Sequence, residues 1–239
     1  MKMPDTAIML AAGLGKRMRP ITETIPKPLV KVAGKPLIDW GLDALAQAGV
    51  RNTIVNVHYL ADKLIDYLKN RTSPEITISD ERDLLLDSAG GIINVLPLLG
   101  DKPFYVLNAD TFWVGDEAKP NILTLADAWD DSQMDILLMT ASLEQATGFE
   151  GKGDFVADGE GRLGRARDVS GERVIYAGVA ILHSRIFADA EPGVSSLNRY
   201  FDAAIASGRL YGMPMTGHWL TVGTPEAIGE AEAALSALA

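Results

Sequence analysis

Over the first hundred residues, short apolar runs alternate with amphipathic segments. "TAIMLAA" (6–12) is an apolar run of strand length. "PLIDWGLDALAQAG" (36–49) puts Ile38, Leu42, Leu45 and Ala46 on one helical face and stops at Gly49. "NTIVNV" (52–57) reads as a second strand, and "ADKLIDYLKN" (61–70) as a helix with Leu64, Ile65 and Leu68 inward. "EITISD" (75–80) is a third strand, "GGIINVLPLLG" (90–100) a helix, and "PFYVLNAD" (103–110) a fourth strand that runs out at Asn108 and Asp110.

Beyond residue 115 the rhythm changes. A helix is expected in "NILTLADAWDD" (121–131), a strand in "MDILLMTAS" (134–142) and a hairpin with an acidic, glycine-rich turn in "GDFVADGEGRLGRARD" (153–168). A long strand "VIYAGVAILH" (174–183), a helix "SLNRYFDAAIASG" (196–208) and a short strand "HWLTVG" (218–223) follow. The closing helix "TPEAIGEAEAALSAL" has Thr224 as its cap and Pro225 at its first position. Strand–helix alternation of this kind gives an α/β fold, Rossmann-like, whose mostly parallel (mixed) sheet carries helices on both faces. The second half is expected to extend the same sheet, so residues 1–239 form one domain, in two parts that divide at about residues 115–116. Ligands of such sheets bind beyond the carboxyl ends of the strands, which brings the loop 12–19 and Asn108–Asp110 to one rim.

Composition narrows the function. Hydrophobic residues make up 47%, enough for a sizeable core, and there is no cysteine, hence no disulfide and no thiolate metal site. The start of the chain lacks a secretory pattern and no apolar run reaches membrane-span length, so a cytoplasmic location is expected, with no membrane partner. The net charge of −10 argues against a nucleic-acid partner. The cations are nonetheless concentrated: Lys16, Arg17, Arg19, Lys27, Lys31 and Lys35 face a single acid, Glu23, in that stretch. An acidic protein with one basic patch suits a small phosphorylated ligand.

Four of these six cations lie in "MLAAGLGKRMRPITETIPKPL" (9–29), where an apolar run ends in two glycines. The dinucleotide fingerprint would need a third glycine where Met18 stands, and no Gly-Lys-Ser/Thr follows, so neither that motif nor a P-loop is present. What remains is a turn whose backbone N–H groups can face a phosphate chain, with Arg17 and Lys27 as full charges. Glycine permits the close approach that a Cβ would block. Arg suits bidentate contact with phosphate, whereas Lys acts as a point charge.

This stretch resembles the signature of the sugar-1-phosphate nucleotidylyltransferases, roughly L-A-A-G-x-G-x-R-x-x-P-x-T-x-x-x-P-K-P-L, and Gly13, Gly15, Arg17, Pro20, Thr22, Pro26, Lys27, Pro28 and Leu29 all match it. "LLLDSAGGI" is similar to the family's base-recognition segment, "LNAD" to the segment bearing its metal-binding aspartate, and "GDF", "YAGVAIL" and "HWLTVGTPE" follow in the family's order. The resemblance covers nearly the whole chain and implies the nucleotide-diphospho-sugar transferase type of fold. The length is closest to compact N-acetylmuramate-1-phosphate uridylyltransferases of cell-wall recycling. Mannose-1-phosphate guanylyltransferases look similar too, which leaves base and sugar open, and a catalytically weak nucleotide-sugar-binding regulator is a further alternative.

The implied reaction joins an NTP to a sugar 1-phosphate and releases pyrophosphate. The resemblance makes Arg17, Lys27 and Asp110 the catalytic residues and Asp110 the ligand of Mg2+. It gives nucleotide contacts to Ala12, Gly13, Gly15, Lys16, Arg17, Lys27, Gly90, Gly91 and Asn108, with the two glycines of "AGG" letting the base approach the backbone. It gives sugar contacts to Gly153, Asp154, Gly178 in the Tyr176–Gly178 turn, and Asn198. His58, His183 and His218 are scattered, without metal-ligand spacing, and read as structural. One position departs: close relatives carry an aspartate in W-x-D-V-G-T, and here Thr221 stands in its place. The expectation is a one-carboxylate metal site. The expected partners are the NTP and the sugar phosphate.

Overall fold

The computed structural model describes residues 3–115 and 118–238. In chain order the first half contains β1 (Thr6–Leu10), a two-residue hairpin β2 (Lys31–Val32) and β3 (Lys35–Pro36), and α1 (Leu37–Gln47). It continues with β4 (Asn52–Val57), α2 (Ala61–Leu68), β5 (Glu75–Asp80), α3 (Asp87–Leu99), β6 (Pro103–Asn108) and β7 (Thr111–Val114). The second half adds α4 (Asn121–Ala128), β8 (Ile136–Ser142), β9 (Ala146–Thr147), β10 (Phe155–Ala157), β11 (Leu163–Arg165) and β12 (Arg173–His183). It closes with α5 (Leu197–Ala206), β13 (Leu210–Pro214), β14 (His218–Thr221) and α6 (Pro225–Leu238).

Nine strands form one mixed sheet. β5, β4, β1 and β6 run parallel, β12 lies antiparallel beside β6, and β8 follows antiparallel to β12 with β13 parallel to it. The β10–β11 hairpin pairs with the first part of β12, and a register shift between Tyr176 and Ala180 interrupts β12 where the two pairings meet. Alternation along β1 explains the two-sided burial. Ala7 and Met9 belong to one buried cluster with Ile38, Leu42, Leu64 and Ile122 of α1, α2 and α4, whereas Ile8 belongs to a second, with Ile92, Val95, Phe201 and Ala204 of α3 and α5. Every one of these side chains is buried.

Three features depart from the sequence expectation. β14 does not join the main sheet; it pairs antiparallel with β7 and parallel with β9 in a small separate sheet. The reason is the chain reversal at Ala109–Asp110, which ends β6 and starts β7 in another direction. α6 packs on this small sheet, with Ala227 and Ala231 against Met18, Phe112, Leu220 and Val222. β13, whose five residues include Gly212 and Pro214, has little strand signal of its own and exists by pairing with β8. α3 begins three residues before Gly90, so both glycines of that pair are inside the helix and buried. The cap of α6 agrees with expectation: Ala227 N donates to Thr224 Oγ1 at 3.4 Å.

Candidate active site

The carboxyl ends of three parallel strands finish at one level. Leu10 stands in register with Asn56 on one side and Asn108 on the other. Beyond that line opens a cleft of about 490 Å³. Its floor is Leu10–Gly13 and Asn108–Asp110; Lys27 and Pro28 form one wall, and Leu85, Asp87, Ser88 and Val194 the other.

The loop after β1 folds back on itself. Gly15 has φ +59°, a left-handed conformation, and a Cβ there would come within 3.0 Å of Thr22 Cγ2 and 3.2 Å of Lys27 Cβ. Gly15 O accepts hydrogen bonds from Met18 N at 2.9 Å and from Thr22 Oγ1 at 2.8 Å. Met18 and Thr22 are both buried and anchor the loop. Lys16, Arg17 and Arg19 are left exposed, and among the described residues no carboxylate pairs with them. The next turn brings Lys27 back over the strand ends. Its Nζ lies 2.6 Å from Asp110 Oδ2, with the Lys27 side chain 13% and the Asp110 side chain 37% exposed.

Asp110 is also tied through its main chain, since its carbonyl accepts from Val222 N at 3.1 Å. The register of β7 with β14 sets Thr221 opposite Thr111, one residue from Asp110. The Arg17 guanidinium lies against Gly223, where a Cβ would stand 3.3 Å from both terminal nitrogens. Lys27 and Asp110 line the cleft; Arg17 and Thr221 are not among its lining residues, but stand close to Val222, whose N–H binds the Asp110 carbonyl. Among the described residues no group of three His, Cys, Asp or Glu side chains could enclose a metal. Among the described residues Asp110 is the carboxylate beside Lys27, and an ion bound there would need its other ligands from phosphate and water, which magnesium accepts.

The remaining expected residues are placed as follows. Ala12, Gly13 and Asn108 line the cleft. Gly178, at φ +78°, backs onto it: a Cβ there would meet Thr111 Oγ1 at 2.3 Å and Asn108 Cβ at 3.3 Å. Gly90 and Gly91 do permit close approach, but of other parts of the protein. A Cβ at Gly90 would sit 2.3 Å from Gly193 O, and one at Gly91 would sit 2.8 Å from both Asn56 Nδ2 and Glu81 Oε1. Asp154 Oδ2 accepts from Tyr176 N at 2.9 Å, which occupies that oxygen in joining β12 to the start of β10. Gly153, at φ +90°, makes the turn before it. Asn198 Oδ1 accepts from Arg165 Nη2 at 3.0 Å near the start of α5. The three histidines make local contacts: His58 Nδ1 with Glu81 O, His183 Nδ1 with Arg185 N and His218 Nε2 with Thr147 Oγ1.

Sequence reasoning did not single out Asn56 or Val194, and of the segment "LLLDSAGGI" it named the two glycines but not Leu85, Asp87 or Ser88, all of which line the cleft. Asn56 is polar within an apolar strand, which is a signal visible in the chain. Asp87 holds φ +61°, unusual for a residue with a side chain, at the entrance to α3. Ser88 Oγ accepts from Leu197 N at 3.0 Å, and Ala89 N and Gly90 N both donate to Ser195 O at 2.9 Å, so the segment before α5 seals the end of α3. Val194, 62% exposed, stands at the mouth. Burial and the nearby Asp110 carboxylate both push the Tyr176 phenol well above its ordinary pKa, and among the described residues its hydroxyl has no hydrogen-bond partner.

Comparison with known proteins shows the family of the chain. The family model described as nucleotidyl transferase matches residues 6–162. An N-acetylmuramate α-1-phosphate uridylyltransferase of Caulobacter vibrioides is 43% identical over 98% of this chain and 98% of its own. That of Neisseria meningitidis serogroup B is 35% identical over 95% and 96%. A mannose-1-phosphate guanylyltransferase catalytic subunit beta of Danio rerio is 29% identical over 92% of this chain and 61% of its own. Among solved structures, a UDP-glucose pyrophosphorylase complexed with UDP-glucose superposes with a TM-score of 0.79 at 20% identity, covering 99% of this chain and 100% of that one. At that identity the likeness shows the fold.

Proposed function

The chain belongs to the nucleotidyl transferase family, and from that premise we propose that it joins UTP to N-acetylmuramate 1-phosphate, releasing pyrophosphate and UDP-N-acetylmuramate. The observation that carries this reading is the Lys27–Asp110 pair on the cleft floor of a chain 43% identical, end to end, to a uridylyltransferase of that substrate.

The chemistry asks little covalent work of the protein. An oxygen of the sugar phosphate attacks the α-phosphorus of UTP in line; the bond from that phosphorus to the β-phosphate oxygen breaks, and pyrophosphate leaves with the electron pair. The nucleophile is already an anion, so no protein base is needed, and the task is positioning and charge stabilisation. Arg17 holds the leaving β- and γ-phosphates. Gly13, Gly15 and Lys16 offer backbone contacts to the phosphate chain. Lys27, stiffened by the prolines on both sides, bridges the α-phosphate and the incoming sugar phosphate. A magnesium ion held by Asp110 would neutralise charge on the phosphates. The part of the chain to about residue 115 takes the nucleotide, and the part after it takes the sugar. Work in the cytoplasm, in cell-wall recycling, fits this substrate; among the described residues no helix is long and apolar enough to cross a membrane.

The test is product analysis. Purified protein is mixed with magnesium, each of the four NTPs in turn, and the 1-phosphates of N-acetylmuramate, N-acetylglucosamine, mannose and glucose. Pyrophosphate release and mass spectrometry of the product identify the pair. UDP-N-acetylmuramate as the dominant product is expected. GDP-mannose would transfer the assignment to the second reading, which the 29% identical guanylyltransferase favours. No turnover with any pair would leave a nucleotide-sugar-binding regulator.

A further inference from the structure

Behind the cleft runs a polar chain that the chemistry above does not use. Glu81, the residue after β5, is 3% exposed, and no cation pairs with it among the described residues. Its Oε1 accepts from Asn56 Nδ2 at 2.9 Å, and its Oε2 accepts from Leu86 N at 3.4 Å. Asn56, also 3% exposed, passes the chain on: its Oδ1 accepts from Ala11 N at 2.7 Å. Ala11 belongs to the cleft floor and Asn56 also lines the cleft, while Leu86 leads into Asp87 and Ser88 of one wall. One carboxylate thus reaches the floor and that wall.

The bonds fix the amide of Asn56 in one orientation. If it flipped, its NH2 would face the N–H of Ala11 and its carbonyl would face the carboxylate, giving a donor–donor and an acceptor–acceptor clash together. Gly91 closes α3 over the pair, with no space for a Cβ. A carboxylate buried without a cation is unfavourable, and an apolar side chain of the same volume is often as stable or more so. Burial pushes the Glu81 carboxyl above its ordinary pKa, while the Asn56 and Leu86 donors and the nearby His58 pull it down. A group held at such a cost beside a cleft points to a task there rather than in the core.

We propose that Glu81 is a positioning residue of the nucleotide site. Through Asn56 it sets the amide of Ala11, and through Leu86 it sets the wall of Asp87 and Ser88, so that the base and ribose of the NTP enter a slot already shaped. This rests on the cleft being the nucleotidyl transferase site.

A pair of variants that exchanges amide and carboxylate tests it. Glu81→Gln offers Asn56 either the wrong end of its amide or a donor turned on Leu86 N. Asn56→Asp sets two carboxylates together. The double variant N56D/E81Q again sets a donor against an acceptor at every contact, with the hydrogen bond between positions 56 and 81 reversed. The new amide at position 81 donates to the new carboxylate at position 56, and its oxygen accepts from Leu86 N. That carboxylate in turn still accepts from Ala11 N. Each single variant is expected to raise KM for the NTP about tenfold, the scale of one or two disrupted buried hydrogen bonds. kcat and KM for the sugar phosphate should change less than about threefold, and the double variant should return to near wild type. Should N56D fail to fold, Glu81→Met keeps the filled volume while freeing Asn56, and the same rise in KM is expected. An unchanged NTP KM in the single variants or in Glu81→Met, whatever their melting temperatures, overturns the proposal. So does a double variant no better than the singles. If the wild type turns over no NTP, the functional reading falls on its own, and calorimetric titration with UTP replaces KM in the same comparison; absent UTP binding by the wild type defeats both.

Discussion

Lys27 Nζ and Asp110 Oδ2 are 2.6 Å apart across 83 residues of sequence, and each is the other's ion-pair partner at the cleft floor. The two residues assigned to phosphate and to metal thus hold each other in place before substrate arrives. Their charges are preset and partly open to solvent. On the proposed function, a phosphate chain entering the cleft would draw the lysine away from the carboxylate, which would then be free for a cation.

Lys27→Ala and Arg17→Ala should each lower kcat by about 100-fold or more, the scale of losing one preorganised electrostatic donor. Lys27→Ala should cost little stability, because a partly exposed ion pair contributes about 0–1 kcal/mol. Continuous pyrophosphate release and a thermal melt check both halves; near-normal turnover in both variants removes the catalytic assignment.

Thr221→Asp adds a carboxylate opposite Thr111, the residue that follows Asp110. The expected outcome is half-maximal turnover at a lower magnesium concentration than in the wild type. An identical magnesium titration counts against Thr221 lying beside the ion.

Two glycines should separate structural from functional need. Gly178→Ala forces a side chain into φ +78° and within 2.3 Å of Thr111 Oγ1, so it should cost about 1–3 kcal/mol and lower Tm by several degrees. Gly13→Ala meets no protein atom within 4 Å and should leave Tm within about two degrees, yet raise KM for the NTP by placing a methyl group on the cleft floor. Equal melting temperatures for the two variants would contradict this division.

The Glu81 carboxyl gives a pH signature. Its folded pKa lies above the ordinary 4.5 because burial disfavours the charged form. Between the unfolded and folded values the native state binds the extra proton. Its contribution to stability is therefore full at low pH and is lost as pH rises through that window. The stability of the wild type relative to Glu81→Gln should fall as pH goes from about 4 to 7, by urea denaturation at each pH; a relative stability that rises instead defeats the sign.

The helices, the longer strands and the glycine-rich loop after β1 were legible in the chain because they are local, whereas the short strands β2, β3, β7, β9 and β13 were not. The period of Ile38, Leu42 and Leu45 marks a helix wherever it is read, and the glycines and prolines around Lys27 constrain their own few residues. The reach of that loop to Asp110 was expected from strand order alone. The tertiary structure decided what depends on distant pairing. β13 and β14 are too short to declare their partners, so only sheet formation separates β14 from the main sheet and sets Thr221 beside Asp110. Asn56, Glu81 and Gly91 look unrelated in sequence; they meet because β4 and β5 pair in register while α3 lies on that face without a Cβ between. Hydrogen bonds of one carboxylate to two separate segments leave no periodic trace along a chain, since their geometry exists only once the strands have chosen neighbours.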